Sequence, residues 1–323
     1  MTTDLPADVV AYVTDGAALG ETRAENRRAL DRWRIVPRSF VDVSAVSTAR
    51  SLFGRDCALP LAIAPMAGQR MVHPDGELAM ARAAARAGVP MILSLSSTVP
   101  VEDVGAVAGL DVWFQLYPFA EPDANRRVVG RAIAAGARVV VLTVDMPPPG
   151  RFAPLGSTVR LPPGVAYAHH DDEPLMSARI VWDDLADLVA WAGVPVVVNG
   201  VLDGRDARRA VELGAAGVVV SNHGGRVLDG MIGAADALAA IEPVGAPLFL
   251  DGGIANGVDV LRALALGAHA ALVGRTLLWA LAAGGEVAVF AELGRILAEF
   301  ERALAVAGVA SAALLTAEHV RRQ

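Results

Sequence analysis

The sequence predicts an α/β fold, a closed (β/α)8 barrel in which eight parallel strands alternate with eight helices. Three observations predict it. From Pro60 onward, short apolar runs alternate with Ala-, Arg-, Leu- and Glu-rich stretches of helical composition. The runs number eight, the count that closes a TIM barrel rather than an open sheet. Polar residues then cluster where the runs end, which is where barrels of this kind carry their chemistry. The 323 residues exceed an ordinary domain, yet such a barrel holds that length as one unit.

In chain order, residues 1–59 form an N-terminal preface, helical over 7–34. Residues 21–30 have helical composition and follow a break at Asp15 and Gly16. Tyr12 precedes that break and, taken alone, reads as helix packing. The strand-like runs are 61–65, 90–94, 112–116, 139–143, 194–198, 217–220, 247–251 and 270–274. The run 216–220 is continuously apolar, the signature of a strand buried on both faces. Helical stretches such as 76–87 and 206–213 separate the runs. One connection breaks the rhythm. Residues 146–180, after the fourth run, are rich in Pro and Gly, lack periodicity, and read as a mobile lid over the barrel mouth. The lid carries His169, His170, Asp171, Asp172 and Glu173. Neighbouring residues of a flexible loop cannot all face one ion, so no metal site is expected.

Composition narrows the function. The net charge is −7 with no basic stripe, which argues against a nucleic-acid partner. No apolar run reaches the ~18 residues of a membrane span. The first residues lack a signal peptide's basic start and apolar core. A single cysteine, Cys57, excludes an internal disulfide, reads as a small core residue, and fits the reducing cytoplasm. The chain contains no lysine, so all 28 basic residues are arginine and lysine Schiff-base chemistry is excluded.

The polar run ends include Gln115, Thr143, Asp145, Asn199, His223, Asp251 and Arg275. The densest is residues 221–230, Ser-Asn-His-Gly-Gly-Arg-Val-Leu-Asp-Gly, directly after the run 217–220. Its glycines let backbone approach a ligand closely. His223 can take a proton near neutral pH, and Arg226 can hold a carboxylate through two parallel hydrogen bonds. A base and an anion clamp three residues apart suggest proton abstraction from a small acid.

These residues resemble the FMN-dependent α-hydroxy acid oxidase and dehydrogenase family, whose members include glycolate oxidase, lactate oxidase, mandelate dehydrogenase and hydroxymandelate oxidase. The resemblance spans residues 7–315. It rests on 221–230 together with Trp113-Phe114-Gln115-Leu116-Tyr117, Leu142-Thr143-Val144-Asp145, Asp251-Gly252-Gly253 and Val273-Gly274-Arg275, in order and spacing. It implies that His223 is the base, while two electrons pass to the flavin. Asp145 would fix its tautomer and stabilise the imidazolium. Arg226 and Tyr12 would bind the substrate carboxylate, and Tyr117 its hydroxyl. Pro65, Met66, Ala67, Ser94, Gln115 and Thr143 would line the flavin ring. Ser221 and Asp251 fall among the implied cofactor contacts. Gly253, Gly274 and Arg275 would hold the FMN phosphate. Ala67 resembles the oxygen-using members, where dehydrogenases carry glycine. A homo-oligomer is implied, a tetramer in the family.

The chain departs from the pattern at charged positions. Asn199 stands where the family has a lysine facing the end of the flavin that gathers charge on reduction. Phe152 replaces an arginine that positions substrate, and Ala255 an arginine near the phosphate. Ser96 stands where many oxidases place a tryptophan over the substrate. The lid is shorter than in many members. Less positive charge and more room point to an aromatic or bulky, mandelate-like α-hydroxy acid, oxidised to the α-keto acid with electrons passed to oxygen. Two alternatives stay open. One is a repurposed FMN enzyme of the same fold, performing amine oxidation or oxidative decarboxylation; the other is a catalytically silent barrel.

Overall fold

The computed structural model describes residues 5–146, 161–169, 176–177 and 179–323. Eight parallel strands close a barrel: β1 (Leu61–Ile63), β2 (Met91–Ser94), β3 (Val112–Leu116), β4 (Val140–Thr143), β5 (Val196–Val201), β6 (Gly217–Val220), β7 (Leu248–Asp251) and β8 (Ala270–Val273). Each lies within one of the expected runs except β5, which continues three residues further, to Val201. A helix follows every strand, over Gly76–Ala87, Val101–Gly105, Pro122–Ala134, Trp182–Ala192, Gly204–Glu212, Ala234–Ala240, Gly257–Ala265 and Arg275–Ala307 in turn.

The period of two along each strand sorts the core into two regions. Ala62, Ile92, Trp113, Val141, Val197, Val219, Phe249 and Leu272, one from each strand, fill the barrel interior. Their neighbours, such as Leu61, Ile63, Val140 and Val198, face the helices. Register then places the site. Ser94 pairs across β2 and β3 with Gln115, and Thr143 pairs across β4 and β5 with Asn199.

The preface differs from expectation in its second half. Helices α1 (Ala7–Thr14) and α2 (Glu21–Asp31) are present, with the break between them. Trp33–Ile35 is a strand, however, antiparallel to Val320–Arg322 at the far end of the chain. Such a pairing has no local sequence signal. Arg50–Leu52 and Arg55–Cys57 form a hairpin whose Phe53 ring plugs the bottom of the barrel, 5.2 Å from Trp113 and 5.9 Å from Phe249. Cys57 joins this interior cluster, and burial pushes its thiol up to about 11. With the bottom closed, the strand C-termini remain as the open end.

Two further expectations need adjusting. The helix Arg275–Ala307 is long and apolar enough to cross a membrane, with a mean hydropathy of 1.5 over its most apolar window. It breaks at Gly284 and Gly285 and turns Leu281, Val289, Leu293, Ile296 and Phe300 onto the barrel helices. Of the lid, only 161–169, 176–177 and 179–180 are among the described residues. Ala168 N–H donates to Ser97 O at 2.8 Å, and His169 is buried, so this part is packed down. His170 to Glu173 lie outside the described residues.

Candidate active site

The turn after β6 carries the base. His223, Gly224 and Gly225 all adopt left-handed backbone, at φ +57°, +61° and +74°. For a histidine this is a strained conformation that persists only where its surroundings over-determine it. Gly225 has no alternative: a Cβ there would sit 2.4 Å from the Arg23 nitrogen of α2. Its carbonyl accepts the Ala17 N–H at 2.8 Å, drawing the end of α1 over the turn. Arg226 consequently stacks on the Tyr12 ring at 4.5 Å, and its Nη1 donates to the carbonyls of Tyr12 (2.5 Å) and Asp15 (3.4 Å). Nε and Nη2 of Arg226 have no partner among the described residues.

His223 Nδ1 lies 3.0 Å from Asp145 Oδ1, after β4. The ring is about a quarter exposed (24%) and the carboxylate nearly covered (8%). Asp145 packs on Gly200, where a Cβ would fall 2.5 Å from the carboxyl carbon. Burial pulls the imidazole toward neutrality, but the charge and hydrogen bond of Asp145 outweigh it and hold the His223 pKa above the usual 6.5. Nδ1 therefore donates to the carboxylate and Nε2, which has no partner among the described residues, is the basic atom. Tyr117 lies nearly parallel to the imidazole, ring centroids 6.5 Å apart. Burial raises its phenol far above the ordinary value, so it remains a neutral donor.

The residues expected around the flavin also come together. Ser94 Oγ donates to Gln115 Oε1 at 3.1 Å, and Asn199 Nδ2 donates to Thr143 Oγ1 at 3.2 Å. Ser96 is buried beside them, its N–H on Ser94 Oγ. Pro65, Met66 and Ala67 are half-buried after β1, with Met66 near Gly274. Arg275 starts the last helix, donates to Gly224 O at 2.5 Å, and makes no ion pair among the described residues. Burial and the neighbouring Arg226 and Arg23 lower it to about 10. Gly253 lies against α2 at Asn26. Ser221 and Asp251 bond to each other, at 2.7 Å, and Ser221 also accepts the His223 N–H. Phe152 lies outside the described residues.

This donor set fits FMN. Gln115 Nε2 and Asn199 Oδ1 are buried with no hydrogen-bond partner among the described residues, one a donor and one an acceptor. The pyrimidine edge of a flavin carries carbonyl acceptors and an N–H donor, so it satisfies both. An arginine with no ion pair among the described residues, at a helix N-terminus, suits a phosphate.

Several buried groups carried no recognisable sequence signal. Asn26 and Asn222 form a reciprocal amide pair locking α2 to the turn. Asn222 was visible in the motif, but without a role. Glu77 is fully buried and accepts from Gln69 N, Thr98 N and Thr98 Oγ1, tying together the loops after β1 and β2. His169 bridges backbone groups beside those loops, with Nδ1 on Leu95 O and Nε2 on Val101 N.

The sequence profile of the FMN-dependent dehydrogenases matches residues 1–322. The chain is 39% identical to 4-hydroxymandelate oxidase of Amycolatopsis orientalis over 328 residues, covering 95% of this chain and 92% of that protein. It is 41% identical to L-lactate oxidase of Nostoc sp. over 324 residues, covering 92% and 89%. Among solved structures it is similar to mandelate oxidase with (S)-2-phenylpropionate (TM-score 0.89, 39% identity, covering 99% and 94%). It is also similar to a point mutant of an active chimera of (S)-mandelate dehydrogenase (TM-score 0.92, 32% identity, covering 99% and 96%). The barrel, the His223–Asp145 pair and a match along nearly the full chain agree: this protein belongs to the FMN-dependent dehydrogenase family.

Proposed function

We infer that this protein oxidises an α-hydroxy acid of the aromatic or bulky, mandelate-like kind to the α-keto acid and passes the electrons to oxygen. The observation that carries the reaction is the His223–Asp145 pair, with Nδ1 engaged and Nε2 open. Nε2 takes the substrate proton, and Asp145 stabilises the imidazolium that results. Arg226, with Nε and Nη2 available, holds the substrate carboxylate, and the neutral Tyr117 phenol donates to the substrate oxygen. Bound FMN supplies the two-electron acceptor. Gln115, Asn199 and Arg275 would hold it.

The substrate preference is supported by the small Ser96 and by relatives named for hydroxymandelate and mandelate. Ala67 and relatives named as oxidases support oxygen as acceptor. The test is a visible spectrum of the FMN-loaded protein under anaerobic conditions, before and after (S)-mandelate, lactate and glycolate. Bleaching by mandelate, with hydrogen peroxide and the α-keto acid formed in air, is expected. A spectrum that none of the acids bleaches overturns the reaction. A higher kcat/KM for lactate or glycolate than for mandelate overturns the substrate class.

A further inference from the structure

The geometry points to Ser221 and Asp251 as positioning residues that together hold the backbone of His223 in its left-handed conformation. This rests on His223 being the base, and goes beyond the role of cofactor contact that the family resemblance implied for the pair.

The direction of the chain of bonds is fixed. The His223 N–H can only donate, and it donates to Ser221 Oγ at 2.9 Å. The hydroxyl proton is then free for Asp251 Oδ2, 2.7 Å away on β7. That arrangement requires an accepting oxygen on Asp251, so the Asp251 carboxyl orients the hydroxyl and the hydroxyl orients the amide. A non-glycine residue at φ +57° needs such restraint, because its preferred backbone would swing the ring away. Two carboxylates therefore grip one histidine. Asp145, after β4, holds the ring at Nδ1, and Asp251, from β7, holds the main chain through Ser221.

The charged groups facing the imidazole are these two carboxylates and Arg226 of its own turn, with the Tyr117 phenol stacked alongside. Loss of the Ser221 hydroxyl leaves Asp251 buried without its donor. Burial already raises the Asp251 pKa, and the Ser221 hydrogen bond opposes that rise. Without the bond the Asp251 pKa rises further, which weakens the carboxyl's support for the imidazolium.

The experiment uses FMN-loaded full-length protein carrying Ser221→Ala, with Ser221→Thr to restore the hydroxyl and Ser221→Cys as a second, near-isosteric loss. Assayed at saturating FMN, Ser221→Ala and Ser221→Cys are expected to lower kcat about tenfold to a hundredfold, with KM within about threefold of wild type. The acidic limb of the rate profile moves to lower pH, and Ser221→Thr restores both. A variant that loosens FMN about tenfold while the loaded enzyme keeps its kcat and pH profile makes the pair a cofactor contact and overturns the proposal. Should no α-hydroxy acid serve as substrate, ¹⁵N NMR titration of His223 decides independently, its signal assigned with a His223→Gln control. A lower titration midpoint in Ser221→Ala supports the positioning role, and an unchanged one overturns it.

Discussion

Asn26 and Asn222, 196 residues apart, exchange two amide hydrogen bonds of 2.7 and 2.8 Å in the fully buried seam between α2 and the catalytic turn. Asn222 uses its remaining capacity on Gly225 N and the Ile232 carbonyl, and Asn26 Oδ1 also accepts from Ala234 N. Replacing Asn222 with Ala strands the Asn26 amide in a site water does not reach. The expected cost is about 3 kcal/mol, which lowers Tm by roughly 5 °C or more. Because Gly225 loses its bond to the Asn222 side chain, kcat falls as well. Calorimetry checks the first effect, and a melting curve superimposable on wild type would refute it.

The pair of His223 and Asp145 predicts an acidic limb above pH 6.5. His223 must be neutral to accept a proton. Its pKa is raised because the Asp145 charge and hydrogen bond outweigh burial. Rate therefore climbs as pH rises through that raised value. Asp145→Asn keeps an acceptor for Nδ1–H but removes the charge, so the limb moves down while kcat drops by about 10²–10⁴. Stability carries the opposite sign. A raised folded pKa gives stabilisation that is complete below the unfolded value and disappears as pH rises through the folded one. The Tm gap between wild type and Asp145→Asn should accordingly be wider at pH 5.5 than at pH 9, and an equal gap at both would contradict the linkage.

Much of this was legible in the sequence, because buried parallel strands are written as continuous apolar runs and the catalytic motif is contiguous. The strands and the helix Gly76–Ala87 follow from patterns a few residues long, and the pairing of His223 with Asp145 from the family resemblance. What was hidden depends on distant contacts. Trp33–Ile35 becomes a strand only because Val320–Arg322 lies beside it. Ser221 reads from the motif as a cofactor contact, and its 2.7 Å bond to Asp251 is visible only in the fold. His169, placed by composition in a mobile polar loop, is an inward-facing bridge whose partners lie on the loops after β2.

Asn199 predicts a low reduction potential for the bound flavin. It is a buried neutral amide that donates to Thr143 Oγ1, at the position where the family places a lysine. An amide brings no charge to offset the negative charge of reduction, and the chain has no lysine to substitute. Asn199→Lys should raise the midpoint potential by on the order of 30 mV or more, which for a two-electron couple corresponds to about 1.4 kcal/mol. A dye-equilibrated reductive titration measures this directly. A potential that stays level or falls would show that another group already neutralises the charge.

His169 predicts a structural loss through its backbone contacts. Its Nε2 accepts the Val101 N–H at 3.0 Å, its Nδ1 reaches Leu95 O at 3.0 Å, and its ring meets Phe114 edge-on at 5.5 Å. The N–H of Val101 can only donate, so Nε2 is the acceptor and Nδ1 carries the proton toward Leu95. Both ring nitrogens thus have backbone partners, Nδ1 also lying 3.3 Å from Ser97 Oγ, and no group of three or more His, Cys, Asp or Glu that could hold an ion occurs among the described residues. His169→Ala opens a cavity against Phe114 and leaves the Val101 N–H buried without an acceptor. The expected destabilisation is about 3 kcal/mol. His169→Gln can keep one of the two bonds and should fall between wild type and the alanine variant. A chelator should leave the wild-type melting curve in place. A chelator-dependent loss that matched the alanine variant would assign His169 to a metal instead.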